Sequence, residues 1–496
     1  MDKKNSQSHA IVKTLLITGI SLVLGLFFDY FFYGKNLGIA FPLYVIFVVA
    51  GLFFIANFCK KQINKEVIWL LIPLIFFSAM VFVLSSALLT FLNVVASLLL
   101  LLIIAQVSLR EKMRNFFVED YLKIFFLPLN FIRPLFQTLS DVLFLREINK
   151  DQKVVPQIIK GIAIAIPVLI IFLFLFSSAD LIFQKYLSNI MSMDIERETV
   201  FRVILILIAT LAYIGAYSYI FQKTENQIAE QKNSTYSIGN IESSILFGSV
   251  NALFFIFILV QLTYLFGGES NISVQGFTYA DYARRGFFEL IAVAIISLLL
   301  LLTTEKYSIK KKTDHAVGFK ILSTALVVQV IIIMASAFTR LALYEEAYGF
   351  TTLRLYSHAF IMLLAVILCL LLYKIYKDKR ENTFAFRVFI SMALFLTAMN
   401  FLNPDAFIAR RNIERFAATG KLDTYYLKSL SDDAIPELME ILNITDEDLR
   451  KNFASSLYKR AQKKIKSSNV SKWQSLNISR MRAEKILNAK MRELEQ

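Results

Sequence analysis

Apolar residues run in blocks of about 20 along most of this chain, long enough to cross a hydrocarbon core of roughly 30 Å as α-helices. The blocks lack the alternation of a barrel strand, and a helix satisfies its own backbone groups in lipid. The pattern predicts eleven spans, near residues 11–30, 37–58, 66–84, 86–108, 158–180, 200–222, 244–266, 281–303, 317–339, 352–375 and 386–402. The third and fourth form a tight hairpin through "LSSALL". The first apolar run is longer than a signal-peptide core, and no small-residue cleavage pattern follows it. It is expected to stay as an uncleaved span.

Two stretches break the rhythm. Between residues 109 and 157, apolar positions are interrupted by Glu119, Asp120, Lys123, Arg133 and Asp141, and by Pro128 and Pro134. Amphipathic helices lying in the headgroup region fit this pattern, with a partner-docking surface as the alternative. From Asn403 onward no block is long enough to span. Asn403-Pro404 opens a helix, Gly420 suits a helix end, and Thr445 with Asp448 resembles a capping pair. The far end, from Ser471, reads as one long amphipathic helix. The expected fold is therefore all-α and polytopic, with about eleven transmembrane helices. Residues 1–108 hold the first four, 109–157 a cytoplasmic interfacial segment, 158–402 the other seven, and 403–496 a small helical tail domain.

Composition agrees. The chain is 57% hydrophobic and 18% charged, against about 45–50% and 25% for a soluble domain. Its net charge of +15 comes without a nucleic-acid recognition motif. Most loop Lys and Arg fall on the side of the N-terminus, which predicts a cytoplasmic N-terminus in the cell membrane. Eleven spans then put the tail outside. Cys59 and Cys369 do not make a disulfide framework. There is no phosphate loop, dinucleotide glycine pattern or His-x-x-His signature, so no cofactor or metal is expected.

On this topology the polar clusters gather at one face. Asp29 ends the first span. Tyr282, Arg284, Arg285 and Glu289 open the eighth. Arg340 and Tyr344 follow the ninth, Arg354 and His358 open the tenth, and Asp405, Arg410, Arg411 and Arg415 follow the eleventh. Arg285 and Glu289, Arg340 and Tyr344, Arg354 and His358, and Arg411 and Arg415 are each four apart, on one helix face. Glu289 is expected to be the buried member, with Arg285 its nearest partner in sequence. Arg284 and Arg354 are alternatively interfacial anchors. Asn93, Asn251, Gln261 and Gln329 inside the spans suit interhelical hydrogen bonds.

"YADYARRGFFEL", "TRLALYEEAYGFTTLRL" and "NPDAFIARRNIERF...LDTYYLKSLSDDAIPEL" resemble the motifs of a bacterial multi-pass membrane family, a domain of unknown function of the 4153 or 4173 type. The resemblance covers roughly residues 240–440. It implies a bacterial membrane location and shared motif residues at Tyr282, Arg284, Gly286, Glu289, Arg340, Tyr344, Gly349, Arg354, Asn403, Pro404, Asp405 and Asn412. It implies no reaction.

The expected ligand set is Tyr282, Arg284, Arg285, Glu289, Arg340, Tyr344, Arg354, Asp405 and Arg410, holding an anionic envelope component or lipid head group, because arginine forks suit phosphate and carboxylate. Three alternatives stand beside it. One is a transferase on a lipid-linked substrate with Asp29 as its outer-face acid. The others are a transporter and a purely structural charge cluster.

Overall fold

Where the apolar blocks fall, the chain folds as helices, because lipid offers the backbone no other partner. The computed structural model describes residues 2–109, 113–143, 172, 176, 179–180, 182–183, 185, 197–222, 240–265, 287–307, 313–377, 380–444, 446–468 and 472–490. Among these residues there is no β-strand. The long helices are α1 (Asp2–Phe32), α2 (Ala40–Phe58), α3 (Lys65–Val83) and α4 (Ala87–Val107) in the first part. Two shorter helices, α5 (Val118–Lys123) and α6 (Ile132–Leu143), follow. Next come α7 (Arg197–Gln222), α8 (Asn240–Leu265), α9 (Phe287–Tyr307), α10 (Thr313–Tyr348), α11 (Thr352–Lys377) and α12 (Glu381–Leu402).

Among the described residues nine helices are long and apolar enough to cross a membrane. They correspond to every predicted span except the fifth and the eighth. The fifth, 158–180, lies almost wholly outside the described residues, and the eighth coincides with the apolar helix α9.

Two apolar cores organise the bundle. One joins α1–α4 with α7 and the segment Met113–Leu127. The other joins α8–α11. Helix α12 stitches them together: Phe384 belongs to the second core, while Phe386 and Phe389 pack on the first. Asn93 of α4 and Asn400 of α12 exchange amide hydrogen bonds of 2.7 and 2.8 Å, fully buried, as two such groups must in an apolar setting. Asn251 likewise donates across to Leu322 O on α10, at 3.1 Å.

Helices α1 and α7 run antiparallel, and their contacts mark the two ends of the bundle. At one end Arg202 grips Asp29; at the other Lys13 Nζ donates to Phe221 O at 2.9 Å. The Asp29 end carries the tail. There α13 (Pro404–Thr419) begins beyond Asn403, whose φ of +49° turns the chain out of α12, and ends at Gly420. Helices α14 (Thr424–Ser429), α15 (Ile435–Leu438), α16 (Glu447–Ser468) and α17 (Ile478–Ala489) complete it. Its core of Ile408, Leu427, Ile435, Leu438, Phe453 and Leu487 takes in Leu355 from α11, so the tail is built onto the bundle rather than tethered to it.

Details of the tail differ from expectation. Thr445 lies outside the described residues, and the start of α16 is capped by Asp446, whose Oδ1 accepts from Leu449 N at 3.0 Å. The last stretch is not one helix. A turn at Trp473–Ser475 precedes Asn477, which caps α17 by accepting from Arg480 N at 3.1 Å. Trp473 needs that turn to pack on Tyr30 and Phe31.

Candidate functional site

The tail is seated by polar side chains that satisfy helix ends left open by the bundle. A helix leaves orphan N–H groups at its start and orphan carbonyls at its end. The turn between α3 and α4 has both. Asp433, buried at 5% exposure, accepts from Ser85 N at 3.1 and 2.9 Å and from Ser86 N at 2.7 Å. A carboxylate there also meets the positive end of α4. Asn477, 1% exposed, donates to Val81 O at 3.2 Å and Leu84 O at 2.8 Å, closing the end of α3. Two residues of the tail thus cap both halves of one transmembrane hairpin.

The α10–α11 turn is held the same way. Gly349 has φ of +84°, and a Cβ there would lie 2.5 Å from Asn412 Oδ1. The missing side chain lets Asn412 pair with both backbone groups of Phe350, each at 2.8 Å. Arg415 caps the end of α10 through Glu346 O at 2.7 Å and Ala347 O at 2.6 Å.

Between these two seats lies a pocket of about 520 Å³. Ser85 and Ser86 from the α3–α4 turn and Thr352 from α11 form its bundle side. Asp405, Tyr426, Ser431, Asp432, Arg460 and Arg480 form its tail side. Arg460 pairs with Asp432 at 2.7 Å. Arg480 makes no ion pair among the described residues; its guanidinium donates to Leu37 O at 3.4 Å. Leu88, 41% exposed on α4, joins the pocket to the lipid-facing surface.

Asp405 lies in this pocket, in the same lining as Arg460 and Arg480. Its Oδ2 accepts from Ser431 N at 3.1 Å. Burial pushes its carboxyl above the ordinary range; the Ser431 hydrogen bonds pull it back, and the charge of Asp433 pushes it further up. The folded protein therefore holds this proton more tightly than the unfolded chain. The resulting stabilisation is full below the unfolded value, about 3.9, and fades as pH rises through the raised folded value. Unfolding midpoints measured across that window should fall with rising pH from this source, and Asp405→Asn should flatten that component of the slope.

The other expected site residues are distributed as follows. Tyr282, Arg284 and Arg285 lie outside the described residues. Glu289 is the third residue of α9 (Phe287–Tyr307) and is exposed, not the buried member. Arg340 is buried near the end of α10. Tyr344 lies under the Arg354 guanidinium, 4.1 Å from ring centre to carbon, and Arg354 donates to Gly349 O. Glu345, at 4% exposure, pairs with His358 at 3.2 Å, so the partner of His358 sits across the hairpin and not at Arg354. Arg410 faces Glu437 at 3.8 Å on the tail surface, and Arg411 faces Glu414 at 3.0 Å. Asp29 is 5% exposed and bound twice by Arg202, at 3.0 and 2.6 Å. That pairing ties both side-chain oxygens of Asp29 to one guanidinium where α1 meets α7. Ser85, Ser86, Asp433, Arg460, Asn477 and Arg480 were not singled out in the sequence; "LSSALL" and the Ser431-Asp432-Asp433 run were their only trace.

No curated protein and no solved structure matches the chain. A family model does, from residue 71 to residue 441. The match takes in both capped turns and every pocket residue named above except Arg460 and Arg480, and on its strength the chain belongs to the family described as a domain of unknown function, DUF4153.

Proposed function

We propose that this protein holds an anionic, phosphate-bearing lipid head group in the pocket between its membrane bundle and its tail. The observation that carries the proposal is Arg480. It lines a polar pocket with no carboxylate partner among the described residues, together with Arg460, which Asp432 already matches. The Thr352 and Tyr426 hydroxyls share one hydrogen bond of 2.9 Å, which leaves one O–H of the pair as a further donor. Arginine forks suit phosphate oxygens. Leu88 gives an acyl chain a path from the pocket to the bundle surface.

The pocket faces the outside of a bacterial cell membrane, with the N-terminus in the cytoplasm. What supports this is charge. Exposed Lys60, Lys61, Arg114, Lys123, Arg133, Lys377 and Arg380 all sit at the end opposite the tail, where positive-inside bias puts the cytoplasm.

Lipid retention by the purified protein tests the pocket, with phosphatidylglycerol, phosphatidylcholine and free inorganic phosphate as separate arms. Phosphatidylglycerol should be retained preferentially. Arg480→Ala should weaken it by about tenfold, the worth of one charge-assisted contact of roughly 1.5 kcal/mol. Equal retention by Arg480→Ala and the unaltered protein would remove the proposal. Competition by inorganic phosphate would assign recognition to the phosphate rather than to the acyl chains.

A further inference from the structure

The segment Val118–Leu143 sits at the end of the bundle opposite the tail and plays no part in the pocket. Its inner side packs on the first core through Ile124 and Leu127, both buried. Its outer side is unusual. Leu122, Phe125, Phe126, Leu129 and Ile132 are 60%, 61%, 67%, 63% and 49% exposed, spaced as one face of a helical rod. A third side is polar: Asn130, Arg133, Gln137, Ser140 and Asp141 are all exposed, again at helical spacing.

Depth decides what covers the apolar row. Phe131 packs against Gly215 of α7, where a Cβ would lie 2.9 Å from Phe131 O. Thr138 and Ser218 share a buried hydrogen bond of 2.6 Å. Gly215 lies six residues before Phe221, the last residue of that span, so Phe131 sits roughly 9 Å inside the span's end. An interfacial helix lies about 5–10 Å into the boundary between head groups and acyl chains. Charge agrees with depth. Lys60, Lys61, Arg114, Lys123 and Arg133 ring the segment's end of the bundle and are exposed, a collar suited to anionic head groups.

We infer that Val118–Leu143 is half inserted in the leaflet opposite the tail, with Leu122, Phe125, Phe126, Leu129 and Ile132 in contact with acyl chains and Arg133, Gln137 and Ser140 among head groups. The occupant of the apolar face is lipid. The segment is then a second lipid contact, on the opposite surface from the pocket and independent of it.

Site-directed spin labelling tests this on the full chain. Cys59→Ser and Cys369→Ser provide the background. Single labels go at Phe125→Cys, Phe126→Cys, Leu129→Cys, Gln137→Cys and Ser140→Cys, in vesicles of phosphatidylethanolamine and phosphatidylglycerol. At Phe125, Phe126 and Leu129, accessibility to oxygen should exceed accessibility to a water-soluble nickel chelate. At Gln137 and Ser140 the order should reverse. A label at Ile72, on the exposed flank of α3, gives the acyl-chain reference. Labels at Phe125 and Phe126 that favour the nickel chelate would overturn the inference, as the row would then face water. Labels closed to both reagents would overturn it too, since a second copy of the chain would be the occupant.

Discussion

Asp433→Ala is expected to detach the tail from the transmembrane bundle. The carboxylate accepts from Ser85 N and Ser86 N and from the Ser431 hydroxyl at 3.1 Å, while its own N–H donates to Ser85 Oγ at 3.2 Å. Alanine removes a charged acceptor worth about 1.5–3 kcal/mol and leaves donors without partners at the start of α4, at about 1–3 kcal/mol for a buried group. Together the loss is roughly 3–5 kcal/mol, a large fraction of what holds an ordinary domain folded. Asp433→Asn keeps one acceptor oxygen and loses the charge, so its effect should be smaller. Limited proteolysis of the detergent-purified protein reads the result. The tail should become cleavable in Asp433→Ala, with the bundle fragment surviving. A tail as resistant as in the unaltered protein would show that Asn477, Asn412 and Arg415 hold it without the Asp433 cap.

The bundle was legible in the sequence because lipid imposes one rule on every segment within it. Nine predicted spans reappear as helices, eight within about five residues of their expected bounds and the ninth extended from 339 to Tyr348. Of the polar groups expected at one end, Asp29, Arg354 and Asp405 do lie at the tail end, while Tyr282, Arg284 and Arg285 lie outside the described residues. What stands in contact at that end was not legible. Asp433 caps a turn 348 residues away, and Asn477 one 393 to 396 residues away. No local pattern carries a pairing of that range. Spacing within a helix misled for the same reason. Arg354 and His358 share a helix face, yet each finds its partner on α10, at Tyr344 and Glu345. Glu289 stands in an apolar block, yet its side chain is exposed, because a position along a block does not say which side of the helix it takes. Side chains near helix ends choose partners by what the turn brings alongside, and turn geometry was the least legible part of this chain.

At the other end of the bundle, Lys374→Met is expected to destabilise the second core by about 3–5 kcal/mol, the usual loss when one member of a buried ion pair is removed. Lys374 Nζ lies 2.5 Å from Glu305 Oε2, and the two side chains are 5% and 9% exposed. The pair joins the last turn of α9 to the last turn of α11, with the Phe384 ring 5.5 Å from the ammonium. Removing the ammonium takes the Lys374 contact away from the buried Glu305 carboxylate, and the loss of that contact accounts for most of the cost. The double change Lys374→Met with Glu305→Gln removes both charges and should regain most of the stability, because a buried pair and its neutral replacement are often close in energy. Unfolding midpoints of the single and double variants in detergent give the coupling directly. The tail should stay protease-resistant in both variants, since its seat lies at the far end of the bundle. If Lys374→Met and the double variant lose equal stability, the lysine acts there through packing of its aliphatic stem, and the charge contributes little.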